Sequence, residues 1–241
     1  MKNNKIIRML RFSLLAAVLC GFSACSDWTQ TETVVNTTIH PWEQGPDLWA
    51  QYLEKLRNYR KSEHFIVYAR LENSPKVAVS EANYMRGLPD SLDIVTLTNA
   101  DNFSAHDRED MPLMRDKGIK VLYQVDYAGR AGEFPDVAAL GVYLDKVIAT
   151  VQAEGLDGYS FTGIPQLGDA ATEAAAALLV QKLASGEGKL LVFEGNPLFV
   201  AQADRVKIDY FALDTQKTLD VLDVRMQVLN ALDYARVPAK K

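Results

Sequence analysis

From Asp47 onward the apolar residues of the chain keep two alternating rhythms. Leu48, Tyr52, Leu56 and Tyr59 recur at spacings of three and four, which predicts a helix over 47–61. The run HFIVYARL at 64–71 predicts a strand, and DIVTLTN at 93–99 a second. Residues 104–117 read as a helix and KVLYQVDY at 120–127 as a third strand. Val137, Leu140, Leu144, Val147, Ile148 and Val151 make one stripe over 135–154, with Pro135 at its start and Gly155 just past its end, as helix termini prefer. GYSFTGI at 158–164 is a fourth strand, and 169–184 an alanine-rich helix. KLLVFEGN at 189–196 and DYFALDT at 209–215 are further strands. A closing helix covers 218–236, with Leu219, Leu222, Met226, Leu229 and Leu232 on one face.

Strands that alternate with helices and are apolar nearly throughout imply a parallel sheet covered by helices, wound right-handed. Six βα units can be counted. A ring of eight takes about 250 residues. The expected architecture is therefore either a (β/α) TIM-type barrel that is incomplete, or a doubly wound open sheet. No internal sequence repeat is evident, and the globular domain is expected over residues 46–241.

The first 45 residues follow neither rhythm. Lys2, Lys5, Arg8 and Arg11 precede a short apolar run from Phe12 to Cys20, and Ser23-Ala24 leads to Cys25. This pattern is a secretory signal over 1–24, and its end resembles a bacterial lipobox, with Phe22 where Leu is usual. Cys25 is the expected lipidation site, and residues 25–45, rich in Thr, Asn and Gln, the expected tether. Cys20 leaves with the signal and Cys25 takes lipid, so no thiol remains for a disulfide or a cysteine-ligated metal. The signal also removes four of the 26 cations, which leaves 22 against 31 acids and a net charge of −9. Such a balance argues against nucleic acid, whose affinity comes largely from phosphate neutralisation.

The fourth strand carries the most specific pattern. It reads Asp157-Gly158-Tyr159-Ser160-Phe161-Thr162-Gly163-Ile164. This resembles the Asp-Gly-x-Asp-x-Asp-x-Glu strand of glycoside hydrolase family 18. Ser160 and Thr162 stand where that pattern has its later aspartates, and Ile164 where it has its catalytic glutamate. With VYARLEN, GIKVLYQVDY, VFEGNP and DYFALDT, the stretch from Trp42 to Lys241 looks like the family-18-like lipoproteins of Gram-negative glycan-uptake loci, relatives of endo-β-N-acetylglucosaminidases. The resemblance implies substrate-assisted chemistry, in which the sugar's acetamido group attacks and one glutamate donates a proton. Ile164 has no proton to give. General acid catalysis contributes about 10²–10⁴-fold, so the resemblance implies a glycan-binding frame without its acid, and no catalytic residue is assigned.

Other residues at predicted strand ends supply candidate glycan contacts: Asn99, Asp126, Tyr127, Glu194, Asn196 and Asp214, with Glu72 a further acid in the same position. Carboxylates and amides accept and donate to sugar hydroxyls, and an aromatic ring suits a sugar's C–H face. Glu194 and Asp214 lie on neighbouring predicted strands and could instead act as acid and base. His40, His64 and His106 are too dispersed for a metal site, and Ser185-Gly186-Glu187-Gly188-Lys189 precedes a strand instead of following one, so it is a turn and no phosphate loop. No cofactor or metal is expected. The reading is a lipid-anchored protein of the cell envelope, in the outer membrane of a Gram-negative bacterium. The expected ligand is a glycan of the N-acetylglucosamine-containing kind, bound without cleavage beside outer-membrane uptake partners. An active endo-β-N-acetylglucosaminidase-type hydrolase and a structural lipoprotein with no ligand are the alternatives.

Overall fold

The computed structural model describes residues 41–77, 80–215 and 220–238. The expected signal, Cys25 and most of the expected tether lie outside them. The chain divides into two units, Met1–Pro46 and Asp47–Lys241. In the first, residues Pro41–Gln44, at the end of the expected tether, form a short helix, α1.

The second unit is built on one sheet of six parallel strands in sequence order: β1 (Tyr68–Leu71), β2 (Ile94–Leu97), β3 (Lys120–Val125), β4 (Gly158–Gly163), β5 (Leu190–Gly195) and β6 (Tyr210–Ala212). The helices are α2 (Pro46–Lys61), α3 (Ala105–Lys117), α4 (Tyr127–Arg130), α5 (Val137–Glu154), α6 (Ala170–Leu183) and α7 (Val221–Leu229), the last continued by a π turn at Asn230–Tyr234. The caps follow the local sequence. Ser104 and Asp107 form a reciprocal capping box on α3, Asp136 and Asp169 cap α5 and α6, and Gly155 ends α5 in the left-handed conformation.

Strand residues alternate between two apolar layers. Val95, Val121, Tyr159, Phe161 and Phe193 face outward and pack with Leu140, Leu144, Val147 and Leu179 of the helices. Ile94, Leu122 and Val192 face inward, with Tyr68, Leu190 and Tyr210 against them. The sheet curls strongly. In a flat sheet β1 and β5 would stand about 19 Å apart, yet the Tyr68 hydroxyl donates to Glu194 at 2.7 Å. The result is an open, incomplete barrel of the (β/α) type, in which β1 and β6 each have one strand neighbour among the described residues.

The end of the sheet where strands begin is fastened by a repeated device. Asp93, Asp157 and Asp209 each directly precede an even-numbered strand. The backbone N–H of each donates to a carbonyl of the preceding strand segment: Val67 at 3.0 Å, Val121 at 2.8 Å and Leu191 at 2.8 Å. Each carboxylate accepts from the N–H of that same residue, at 2.8, 3.0 and 2.9 Å respectively. Asp157 also pairs with Lys120 at 2.8 Å.

Two expected apolar stripes are not buried. On α2 the buried residue is Leu53, while Leu48 and Tyr59 face solvent. On α7 the Leu222, Met226 and Leu229 stripe is exposed, because nothing among the described residues packs over it. No described helix is long and apolar enough to cross a membrane.

Candidate functional site

Curling brings the inward side chains of distant strands into one polar layer above the apolar plug. Glu194 on β5 is its centre. It accepts from Tyr68 at 2.7 Å and Arg70 Nε at 2.5 Å on β1, and from Gln124 Nε2 at 3.0 Å on β3. Its side chain is 2% exposed, whereas that of Arg70 is 43% exposed. Burial, with the Glu194 charge adding to it, pushes the Tyr68 phenol far above its ordinary range, so it stays a donor.

The motif strand completes this layer. Ser160, fully buried, pairs with Thr96 of β2 at 2.6 Å. Thr162 accepts from the Ala128 N–H at 2.9 Å and donates to Asp126 at 2.7 Å. Asp126 also caps α4 through the Gly129 N–H. Ile164 takes no part in this layer. Beyond the end of β4 the strand alternation no longer holds it inside, and it is 63% exposed at the rim.

The half of the motif that this chain retains has a different role. Asp157 sits at the opposite end of the strand, in the clamp to β3. Gly158 is required by close packing: a Cβ there would lie 2.1 Å from the Leu190 carbonyl oxygen. Asp157 and Gly158 thus build the sheet, while the positions of Ser160, Thr162 and Ile164 face the interior and rim.

Above the polar layer lies a cavity of about 1050 Å³ at the C-terminal ends of the strands, the end where barrels of this type carry their sites. Of the candidate residues, Asp126, Glu194, Asn196 and Asp214 line it, with Thr162 and Ile164. Asn196 accepts from the Leu198 N–H at 3.1 Å and shapes the rim. Asn99 and Tyr127 do not line it. The Asn99 amide is committed to the carbonyls of Asn73 and Ser74 at 3.0 and 2.9 Å. The Tyr127 ring packs between Phe134 and Phe199, with centroids at 6.2 and 5.8 Å. Sequence reading missed Arg70 on the floor and Gln227, Asn230 and Tyr234 on the far wall. Arg70 was legible in principle, since strand alternation puts it on the same face as Tyr68. Among the described residues no group of three or more His, Cys, Asp and Glu is arranged to hold a metal.

Comparison with known proteins agrees with this geometry. A family model described as glycoside hydrolase family 18, BT1044-like, matches residues 29–134, a span that ends before β4. Among solved structures, an endo-β-N-acetylglucosaminidase from Cordyceps militaris is similar at a TM-score of 0.59 and 23% identity, covering 77% of this chain and 68% of its own. The BT1044 protein, in a selenomethionine form with one glutamate changed to glutamine, is similar at 0.55 and 19%, covering 70% and 63%. A chitinase from Bacteroides thetaiotaomicron is similar at 0.55 and 10%, covering 72% and 64%. The chain thus spans about two thirds of the length of these structures. No curated protein matches it. The chain resembles glycoside hydrolase family 18 in the matched sequence segment, and its fold is the barrel of that family, with six of the strands.

Proposed function

We propose that this protein is a lipid-anchored glycan-binding protein of the cell envelope that holds its ligand without hydrolysing it. The observation that carries this reading is the state of the carboxylates in the cavity. Glu194 is buried and already accepts from three protein donors. Asp126 accepts from Thr162 and Gly129. Both are committed as acceptors, and Ile164 supplies no acid at the rim. A proton donor to a glycosidic oxygen must come within hydrogen-bond reach with a proton to give, and neither Glu194 nor Asp126 is arranged to do so.

The cavity is nevertheless suited to a sugar. Its rim offers Asn196 and Asp214 for hydroxyls, and apolar surface from Ile164 and Leu198 for C–H faces. Glycan as the ligand is further supported by the similar Cordyceps enzyme, one form of which was solved with fucosyl-N-acetylglucosamine-Asn. A place beside outer-membrane uptake partners, with the anchor at Cys25, completes the proposal.

Asp214 favours the alternative, an endo-β-N-acetylglucosaminidase-type hydrolase, because it is an exposed acid at the cavity mouth. A glycan array read beside a hydrolysis assay on N-acetylglucosamine-containing glycans separates the two. Binding at micromolar to millimolar Kd, about −8 to −4 kcal/mol, with the glycan left intact supports the proposal. Robust cleavage by the unmodified protein overturns it.

A further inference from the structure

The wall of the cavity facing the strand ends is made by the C-terminal helix, and its construction is unusual. After Leu229 the helix widens into a π turn over Asn230–Tyr234, closed by the Ala235 N–H donating to the Asn230 carbonyl at 2.8 Å. Such single widened turns recur at functional positions. Here Asn230, Ala231, Tyr234 and Ala235 all border the cavity. Ala231 and Ala235, with Val237 beyond them, pack into an apolar cluster with Leu198, Phe211 and Leu213. Tyr234 remains on the cavity side, lines the cavity and is 72% exposed. Among the described residues its ring and hydroxyl have no hydrogen bond or aromatic partner, unlike the rings of Tyr127, Phe134 and Phe199.

The wall is held in place from behind. The Arg205 side chain is buried and ties two segments together, with Nε donating to the Pro197 carbonyl at 3.2 Å and Nη1 to the Ala235 carbonyl. Pro197 follows Asn196 at the cavity rim, so one guanidinium bridges that rim and the turn. The ring of Tyr234 is therefore carried on a seated backbone, in a cavity that also presents Asn196 and Asp214. A flat ring and polar groups lining one cavity match a pyranose, which offers C–H faces to the one and hydroxyls to the other.

We infer that Tyr234 is the aromatic platform on which a sugar ring of the bound ligand stacks, and that the π turn is the device that aims it into the cavity. The inference rests on the glycan-binding reading above. It assigns ring-face recognition to the C-terminal helix and hydroxyl recognition to the strand ends.

The test uses the whole protein and a chito-oligosaccharide and a chitobiose-core N-glycan as probes, read by calorimetry. Tyr234→Phe keeps the ring and is expected to keep the affinity. Tyr234→Ala is expected to weaken binding about tenfold, with little change in melting because the side chain is 72% exposed. Saturating probe should also shift the Tyr234 ring signals of the unmodified protein, identified as those missing from the spectrum of Tyr234→Ala. Equal binding by Tyr234→Ala and the unmodified protein overturns the platform and leaves the glycan-binding reading standing. Loss in Tyr234→Phe equal to that in Tyr234→Ala also overturns it, since the ring would not be the recognising group. Failure of the unmodified protein to bind either probe at millimolar concentration removes both the platform and the reading beneath it.

Discussion

Replacing Glu194 by leucine removes the acceptor that holds three strands together from inside the barrel. Tyr68, Arg70 and Gln124 lose a partner at once. Breaking a buried ion pair by removing one side costs about 3–5 kcal/mol. The Arg70 side chain is 43% exposed, so it can turn into cavity water and recover part of that. The Tyr68 phenol and the Gln124 amide recover less, at about 1–3 kcal/mol for a buried group left unsatisfied. The expected net loss is about 2–4 kcal/mol, or roughly 4–16 °C in melting temperature at about 2–4 °C per kcal/mol for a domain of this size. Glu194→Gln keeps the shape and one acceptor and should lose about half as much. Adding Arg70→Met to Glu194→Leu should restore part of the loss, because an apolar pair of similar volume often replaces a buried ion pair at little cost. Urea denaturation followed by circular dichroism measures all four proteins. A Glu194→Leu loss below about 1 kcal/mol, or a Glu194→Gln loss larger than that of leucine, would refute the view that this carboxylate is a structural hub.

Three further outcomes are expected. His64 has both ring nitrogens facing acceptors, the Ser62 carbonyl at 2.7 Å and Asp93 at 3.0 Å, an arrangement that needs the imidazolium. The Ser62 carbonyl first, then Asp93, raises its pKa; partial loss of water around the ring and Arg60, 3.8 Å from Asp93, oppose this, and Tyr59 packs on the ring. The stabilisation is present in full below the ordinary imidazole value near 6.5 and is lost as pH rises through the raised folded value. Melting temperature should therefore fall on going from mildly acid to mildly alkaline pH, and His64→Phe should flatten that slope; an unchanged slope counts against it. Asp157→Ala should destabilise by about 1–3 kcal/mol by freeing the Val121 N–H, and Asp93→Ala by more, since Asp93 also holds His64; equal denaturation midpoints for both variants and the parent would contradict the clamp. Lastly, the exposed α7 stripe and the edges at β1 and β6 should make the protein self-associate, and a monodisperse monomer by light scattering at high concentration would refute this.

The sequence made the sheet legible because each strand is a dense apolar run and each long helix has a stripe with caps. Strand ends were overread by a few residues: 64–67 and 213–215 lie outside β1 and β6. Apolar content alone does not tell a strand from the extended chain that enters or leaves it. The site was half legible. Asp126, Glu194, Asn196 and Asp214 were reached because strand alternation points to the barrel mouth. Tyr127 was misplaced because the strand yields to α4 at that residue, which turns the ring into an aromatic stack. Tyr234 was invisible, since a regular helical period cannot anticipate a π turn. The aspartate clamps were also missed. Asp93, Asp157 and Asp209 look like three unrelated acids until strand pairing shows what they share.

Those clamps give the barrel a grain. Each joins an odd strand to the even strand after it: β1 to β2, β3 to β4, β5 to β6. No such clamp spans β2 to β3 or β4 to β5 among the described residues, where the ladder bonds and the helices do the joining. The sheet is therefore three stapled couples laid side by side. A ring of eight would hold four. Among the described strands every staple therefore lies within one couple and none between couples. Hydrogen exchange should follow the same grain, with the amides of Val67, Val121 and Leu191 opening together with their partner aspartates, couple by couple.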